Sequence, residues 1–119
     1  MKLELFRTLW GDSRRWDIPL AEARKASFVG LEARIPPTHE EAQECAAILQ
    51  GEGAPFIAIA MTGGGVIPRQ SATVQDHLDD LHDAIDRASL MNPRRGNLTE
   101  GLYIGLDYEK VCFVEKKFP

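Results

Sequence analysis

The stretch GLEARIPPTHEEAQECAAILQGEGAPFIAIAM, residues 30–61, carries two runs of strand character with a single helix between them. LEARI, residues 31–35, alternates apolar and polar side chains until Pro36 and Pro37 forbid further pairing. Thr38 with Glu41 three residues later has the spacing of a capping box. Ala42, Cys45, Ala46 and Leu49 then fall on one helical face, and Gly51 and Gly53 end the run. Pro55 opens PFIAIAM, whose unbroken apolar character suits a strand covered on both faces. Two strands joined through a helix argue for a parallel pair, because parallel strands need a crossover of a dozen or more residues.

The flanks repeat the rhythm. Upstream, Leu3 to Trp10 is free of Pro and Gly, contains Leu3, Leu5, Phe6, Leu9 and Trp10, and ends at Gly11, as a buried strand does. Asp17 is read as the cap of a helix with Pro19 in its first turn. Leu20, Ala23, Ala26 and Ser27 give it a narrow stripe to about Phe28, and Gly30 is its stop. Downstream, Thr73 with Asp76 forms a second capping box, and Val74, Leu78, Leu81, Ile85 and Ala88 recur at amphipathic spacing. The order β-α-β-α-β-α predicts an α/β fold with a parallel sheet. From Asn92 the pattern changes to two short β-like runs, LYIGLDY and KVCFV, with no further helix.

Composition narrows the function classes. The 119 residues amount to one domain at most, and a net charge of −4 offers no broad cationic field for nucleic acid. The N-terminus has neither a secretory pattern nor a membrane span, so a cytoplasmic protein without membrane contact is expected. Cys45 and Cys112 lack the Cys/His spacing of a zinc site and form no disulfide framework. His77 and His82 lie five apart on the third helix, too far around it to hold one ion together, and both are expected to face solvent among Asp76, Asp79, Asp80 and Asp83. That acidic run reads as a hydrated face.

The segments KLELFRTLWG, FVGLEARIP, PFIAIAMTGG and TVQDHLDDLHDAIDRASLMNP, in this order and spacing, resemble the sugar isomerase/epimerase family with a xylose-isomerase-like TIM barrel, over residues 2–101. Such a barrel has eight βα units and about 250 residues, so the resemblance implies a partial (β/α) barrel of three to four units, the N-terminal half in residues 1–101. Residues 102–119 are a divergent tail, read as a hairpin or an edge strand. Asn97-Leu98-Thr99-Glu100-Gly101 departs from the family's Asn-x-His-x-Gly pattern by placing Thr99 where the histidine is expected.

The family's site lies at the C-terminal ends of the strands. There the resemblance implies Glu32 as the catalytic or substrate-binding carboxylate, and Trp10, Arg34, Thr62, Gly63, Gly64 and Arg69 as substrate-binding residues. Some full-length members use a divalent ion, Mn, Mg or Zn, held by later strands. No metal site and no cofactor are assigned to this chain, and it is expected to be inactive alone, with a small sugar or sugar phosphate as ligand. Two alternatives remain open. One is a non-catalytic interaction module that forms a homodimer through open sheet edges. The other is a small flavodoxin-like domain, which needs a phosphate cradle after the first strand, where GDSRRWD has few small residues.

Overall fold

The structure, a computed structural model, describes residues 2–65 and 67–98. Strand β1 (Phe6–Thr8) leads to helix α1 (Asp17–Lys25), then β2 (Gly30–Arg34), α2 (His39–Gly51), β3 (Phe56–Ala60), α3 (Val74–Ser89) and β4 (Arg95–Leu98). All neighbouring strands are parallel and lie in the order β1-β2-β3-β4. This order contains no reversal, whereas a flavodoxin-like sheet places its second strand outside its first. The flavodoxin-like alternative is therefore not the topology of the described strands. The tail hairpin and the continuation of the fourth strand past Leu98 lie outside the described residues.

Register partners in a parallel sheet point to the same face. On one face, Leu31, Ala33 and Ile35 from the second strand and Phe56, Ala58 and Ala60 from the third join Leu20 and Ala23 of α1, Ala42, Ala46 and Leu49 of α2, and Leu81, Ala84 and Ala88 of α3 in a single core. The helices thus all pack against that face. Its small residues let helix and sheet backbones approach closely, and the larger Leu and Phe side chains fill the gaps. The Trp16 ring packs against Phe56 with centroids 5.3 Å apart.

The opposite face carries Thr8, Glu32, Arg34, Ile57 and Ile59, and none of the three helices covers it. On this side the Arg94 guanidinium pairs with Glu4 and lies 5.8 Å from the Phe6 ring centroid. The beginnings of β1 and β4 are therefore tied together although two strands separate them.

Local chemistry sets the boundaries, and some differ from expectation. The first strand is three residues long, not eight, because Leu3 and Leu5 are exposed and only Phe6–Thr8 pair with β2. Asp17 lies inside α1; the cap position is Trp16, which makes no side-chain cap bond and is anchored instead by its ring against Phe56. The helix ends at Lys25, not near Phe28: past the C-cap Ala26, Ser27 has φ 67°, its N–H donates to Arg24 O, and the Phe28 N–H donates to Ala23 O, a Schellman turn. Ala26 and Ser27 are accordingly exposed and leave the apolar stripe. Helix α2 ends in the same turn, with Gly53 at φ 58°. At its start Thr38 accepts from the Glu41 N–H, while α3 has the full box between Thr73 and Asp76.

Gly30 is not a helix stop. It is the first residue of β2, where a Cβ would stand 2.0 Å from the Pro55 carbonyl oxygen as the chain enters β3. Gly30→Ala is expected to destabilise the fold by about 3 kcal/mol, since the obstacle is backbone and cannot rotate away. Ser27→Gly, which relieves a left-handed residue, is expected to add about 1 kcal/mol. Urea denaturation of the two variants beside the parent checks both signs.

Candidate functional site

The C-terminal ends of β1, β2 and β3 open on one edge of the sheet, and the sequence candidates divide there into two groups. Trp10, 56% exposed, and Arg34 line a hollow of about 210 Å³ together with Thr8, Leu9, Gly11, Ala33, Ile59 and Met61. Its apolar part comes from Ile59 and Met61, and its cation from Arg34. Glu32 sits one position-pair deeper in β2, half-buried, between its register partners Thr8 and Ile57. Arg34 also borders a wider groove with Arg14, Arg15 and Glu44 on the helix side.

The loop that presents Trp10 is fixed by charge. Asp12 receives Arg14 Nε at 3.0 Å and Nη2 at 2.9 Å, and Glu22 of α1 receives Arg14 Nη1 at 2.7 Å and Arg7 Nη1 at 2.6 Å. Arg7 thus points from β1 toward α1, and Arg14 closes the loop over it. The hydrogen bonds from Arg14 hold both carboxyls down, Asp12 from 3.8 to about 2 and Glu22 from 4.5 to about 2.

Thr62 and the glycines belong to the second group. Thr62 is 2% exposed and turned toward α3, where its Oγ1 lies 2.7 Å from His77 Nδ1. It therefore does not line the hollow as a substrate-binding residue would. The Gly63 N–H donates to Asp80 Oδ2 at 2.7 Å, and a Cβ on Gly63 would stand 2.6 Å from His77 Cε1. One turn of α3 thereby grips two successive residues of the β3–α3 loop. Gly64 and Arg69 lie on the outside of that loop, with Arg69 Nη1 3.1 Å from the position of a Gly64 Cβ, and the Arg69 N–H closes the loop onto Gly63 O at 2.8 Å.

His77 corrects the expectation that both helix histidines face solvent: it is 4% exposed, while His82 is exposed. The signal was in the spacing, since residues 77, 81, 84 and 88 make one stripe, and the buried members of α3 are those four. Asp80 likewise leaves the hydrated face to serve the loop, whereas Asp79 and Asp83 are exposed.

Among the described residues, no three or more His, Cys, Asp or Glu side chains are grouped so as to hold a metal ion. No described helix is long and apolar enough to cross a membrane. Comparison of the chain with protein-family models, with curated proteins and with solved structures found no match.

The depressed carboxyls give the fold a defined acid limb. A carboxyl whose folded value lies below its unfolded value contributes stability that is complete above about pH 5, and that is lost as the pH falls toward 2. The pair is open to solvent, so salt weakens the contribution. Denaturation midpoints followed from pH 6 to pH 2 should fall less in Asp12→Asn/Glu22→Gln than in the parent, and the difference between the two proteins should shrink in 1 M salt.

Proposed function

We propose that this chain is an arc of a parallel (β/α) barrel of the sugar isomerase/epimerase kind, and that it holds a small sugar or sugar phosphate in the hollow between Trp10, Arg34 and Met61. The observation that carries the reading is the placement of Trp10 and Arg34 at the C-terminal edge of a sequentially ordered parallel sheet with all its helices on one side. That edge is where barrels of this architecture keep their chemistry.

The hollow suits a sugar physically. A pyranose presents a flat patch of C–H groups ringed by hydroxyls. The exposed Trp10 ring offers a face for the patch, Ile59 and Met61 offer apolar contact, and the Arg34 guanidinium offers donors to hydroxyl oxygens. A volume of about 210 Å³ is smaller than the ~300 Å³ at which drug-sized pockets begin, which restricts the occupant to a molecule of monosaccharide size.

Turnover asks for more than binding. Interconverting an aldose and a ketose moves a proton between neighbouring carbons, which needs a base on one side and a group to hold the developing negative charge on the other. Glu32 lies on the helix-free face beside the hollow and is the base in this reading. Arg34 is the neighbouring cation. The described residues therefore serve binding first, and turnover without additional groups is expected to be negligible.

Titration calorimetry with aldoses, ketoses and their phosphates should detect binding that weakens about tenfold in Trp10→Ala, the loss of one aromatic contact. A coupled isomerase assay with Mn²⁺ or Mg²⁺ should show no rate above a Glu32→Ala control. Absence of binding to every sugar would remove the proposal, and turnover above the control would remove its inactive half.

A second reading, self-association through the sheet edge, is favoured by the position of Leu3 and Leu5, 79% and 46% exposed, beside β1 at the margin of the described sheet. Sedimentation at several concentrations should then show a reversible dimer that Leu5→Lys abolishes; a concentration-independent monomer rules it out.

A further inference from the structure

The β3–α3 loop holds hydrogen-bond donors that find no acceptor among the described residues. Gly63, Gly64 and Gly65 take φ values of 73°, 103° and 159°, and the first two are conformations that side chains disfavour. The Gly63 amide is spent on Asp80, but the Gly64 and Gly65 N–H groups meet no acceptor among the described residues. The Arg69 guanidinium is in no ion pair among them either, and it lies along Gly64, with Nη1 3.1 Å from where a Cβ would be. Only glycine at 64 lets the guanidinium approach the backbone so closely.

The supports of this loop already have partners. Thr62 and His77 are bonded to each other inside the protein, and the Arg69 N–H is tied back to Gly63 O, so the donors are held in place before any ligand arrives. Two carboxylates of α3 stand by the loop, and each already has a backbone N–H partner: Asp80 from Gly63 and Asp76 from Thr73. Asp76 is held below its ordinary value by those Thr73 contacts, and Arg69 adds to the effect through its charge. Among the described residues, two amide hydrogens and a guanidinium of this loop are thus without a hydrogen-bond acceptor, and such a set of donors suits an anion.

We infer that Gly64, Gly65 and Arg69 form a subsite for a tetrahedral oxyanion, the phosphate of a phosphorylated sugar whose ring occupies the Trp10–Arg34 hollow. The ring's place rests on the function proposed above; the anion site rests on the loop alone. The Gly63–Gly65 loop follows directly from Met61, which lines the hollow, so anion and ring are served by the same stretch of chain.

The test uses the full chain with inorganic phosphate, glucose and glucose 6-phosphate as probes, followed by amide NMR and calorimetry. Phosphate should shift the Gly64 and Gly65 amide resonances, Arg69→Ala should weaken phosphate about tenfold, the loss of one charge-assisted contact, and Arg69→Lys should recover part of it. Glucose binding should be unchanged in Arg69→Ala, and glucose 6-phosphate should bind the parent more tightly than either fragment. Phosphate binding that leaves these amides unmoved, or that is equal in Arg69→Ala, overturns the subsite. Phosphate binding at the loop without any binding of glucose overturns the sugar reading and leaves the anion site standing. Folding of the variants is checked by their thermal midpoints, and Arg69 is exposed, so its replacement should not lower them.

Discussion

The structure depends on one asymmetry, that every helix packs against the same face of the sheet. Chain-order strand neighbours with single-helix crossovers of one hand put each helix on one side. The sequence supports the arrangement through the sizes of its residues. Alanines at 33, 58 and 60 of the sheet meet alanines at 23, 42, 46, 84 and 88 of the helices, while Leu20, Leu31, Leu49, Phe56 and Leu81 fill the space between. The layer is dense because both partners are small at the crossings. The other face is left to polar and β-branched residues, with the Glu4–Arg94 pair at the start of the outer described strands.

From this follows the division of labour at the C-terminal edge. Side chains that alternate toward the helices, Thr62 foremost, are consumed in building: its hydroxyl and the His77 ring satisfy each other inside the core, which is what a buried polar pair must do to avoid a cost of about 1–3 kcal/mol. Side chains that alternate away include Arg34, which is exposed beside Trp10, and the half-buried Glu32. The alternation of a strand thus decides which residues at its end are available to a ligand. Loops then add what strands cannot, the first through the Arg7, Asp12, Arg14 and Glu22 network, the third through glycines and Arg69.

Much of the architecture was legible in the sequence because it is written in periodicity. Alternation in LEARI, the apolar run of PFIAIAM and the cap at Thr73 each act locally, and each is where it was expected. What failed depends on contacts between distant residues. Gly30 looks like a helix stop until Pro55 is brought against it, and Ser27 does not look like a helix terminator because its left-handed turn is stabilised by backbone bonds to Ala23 and Arg24. Of the candidate site, Trp10 and Arg34 line one hollow at the edge. Thr62 turns toward α3 instead, and the His77 stripe that would have revealed its partner was read as solvated because histidine and aspartate dominate its neighbours.

The sequential strand order has a consequence for synthesis. Each strand of the described sheet pairs with the one made immediately before it, so as the polypeptide leaves the ribosome every new βα segment finds its template already in place. The strand partners lie 24 to 38 residues apart, so each pairing closes a shorter loop than one that spans the described sheet. The exception is the ion pair between residues 4 and 94, which must wait for almost the whole described length to emerge, and so it acts as a clasp fastened after the sheet has grown rather than as a seed for it.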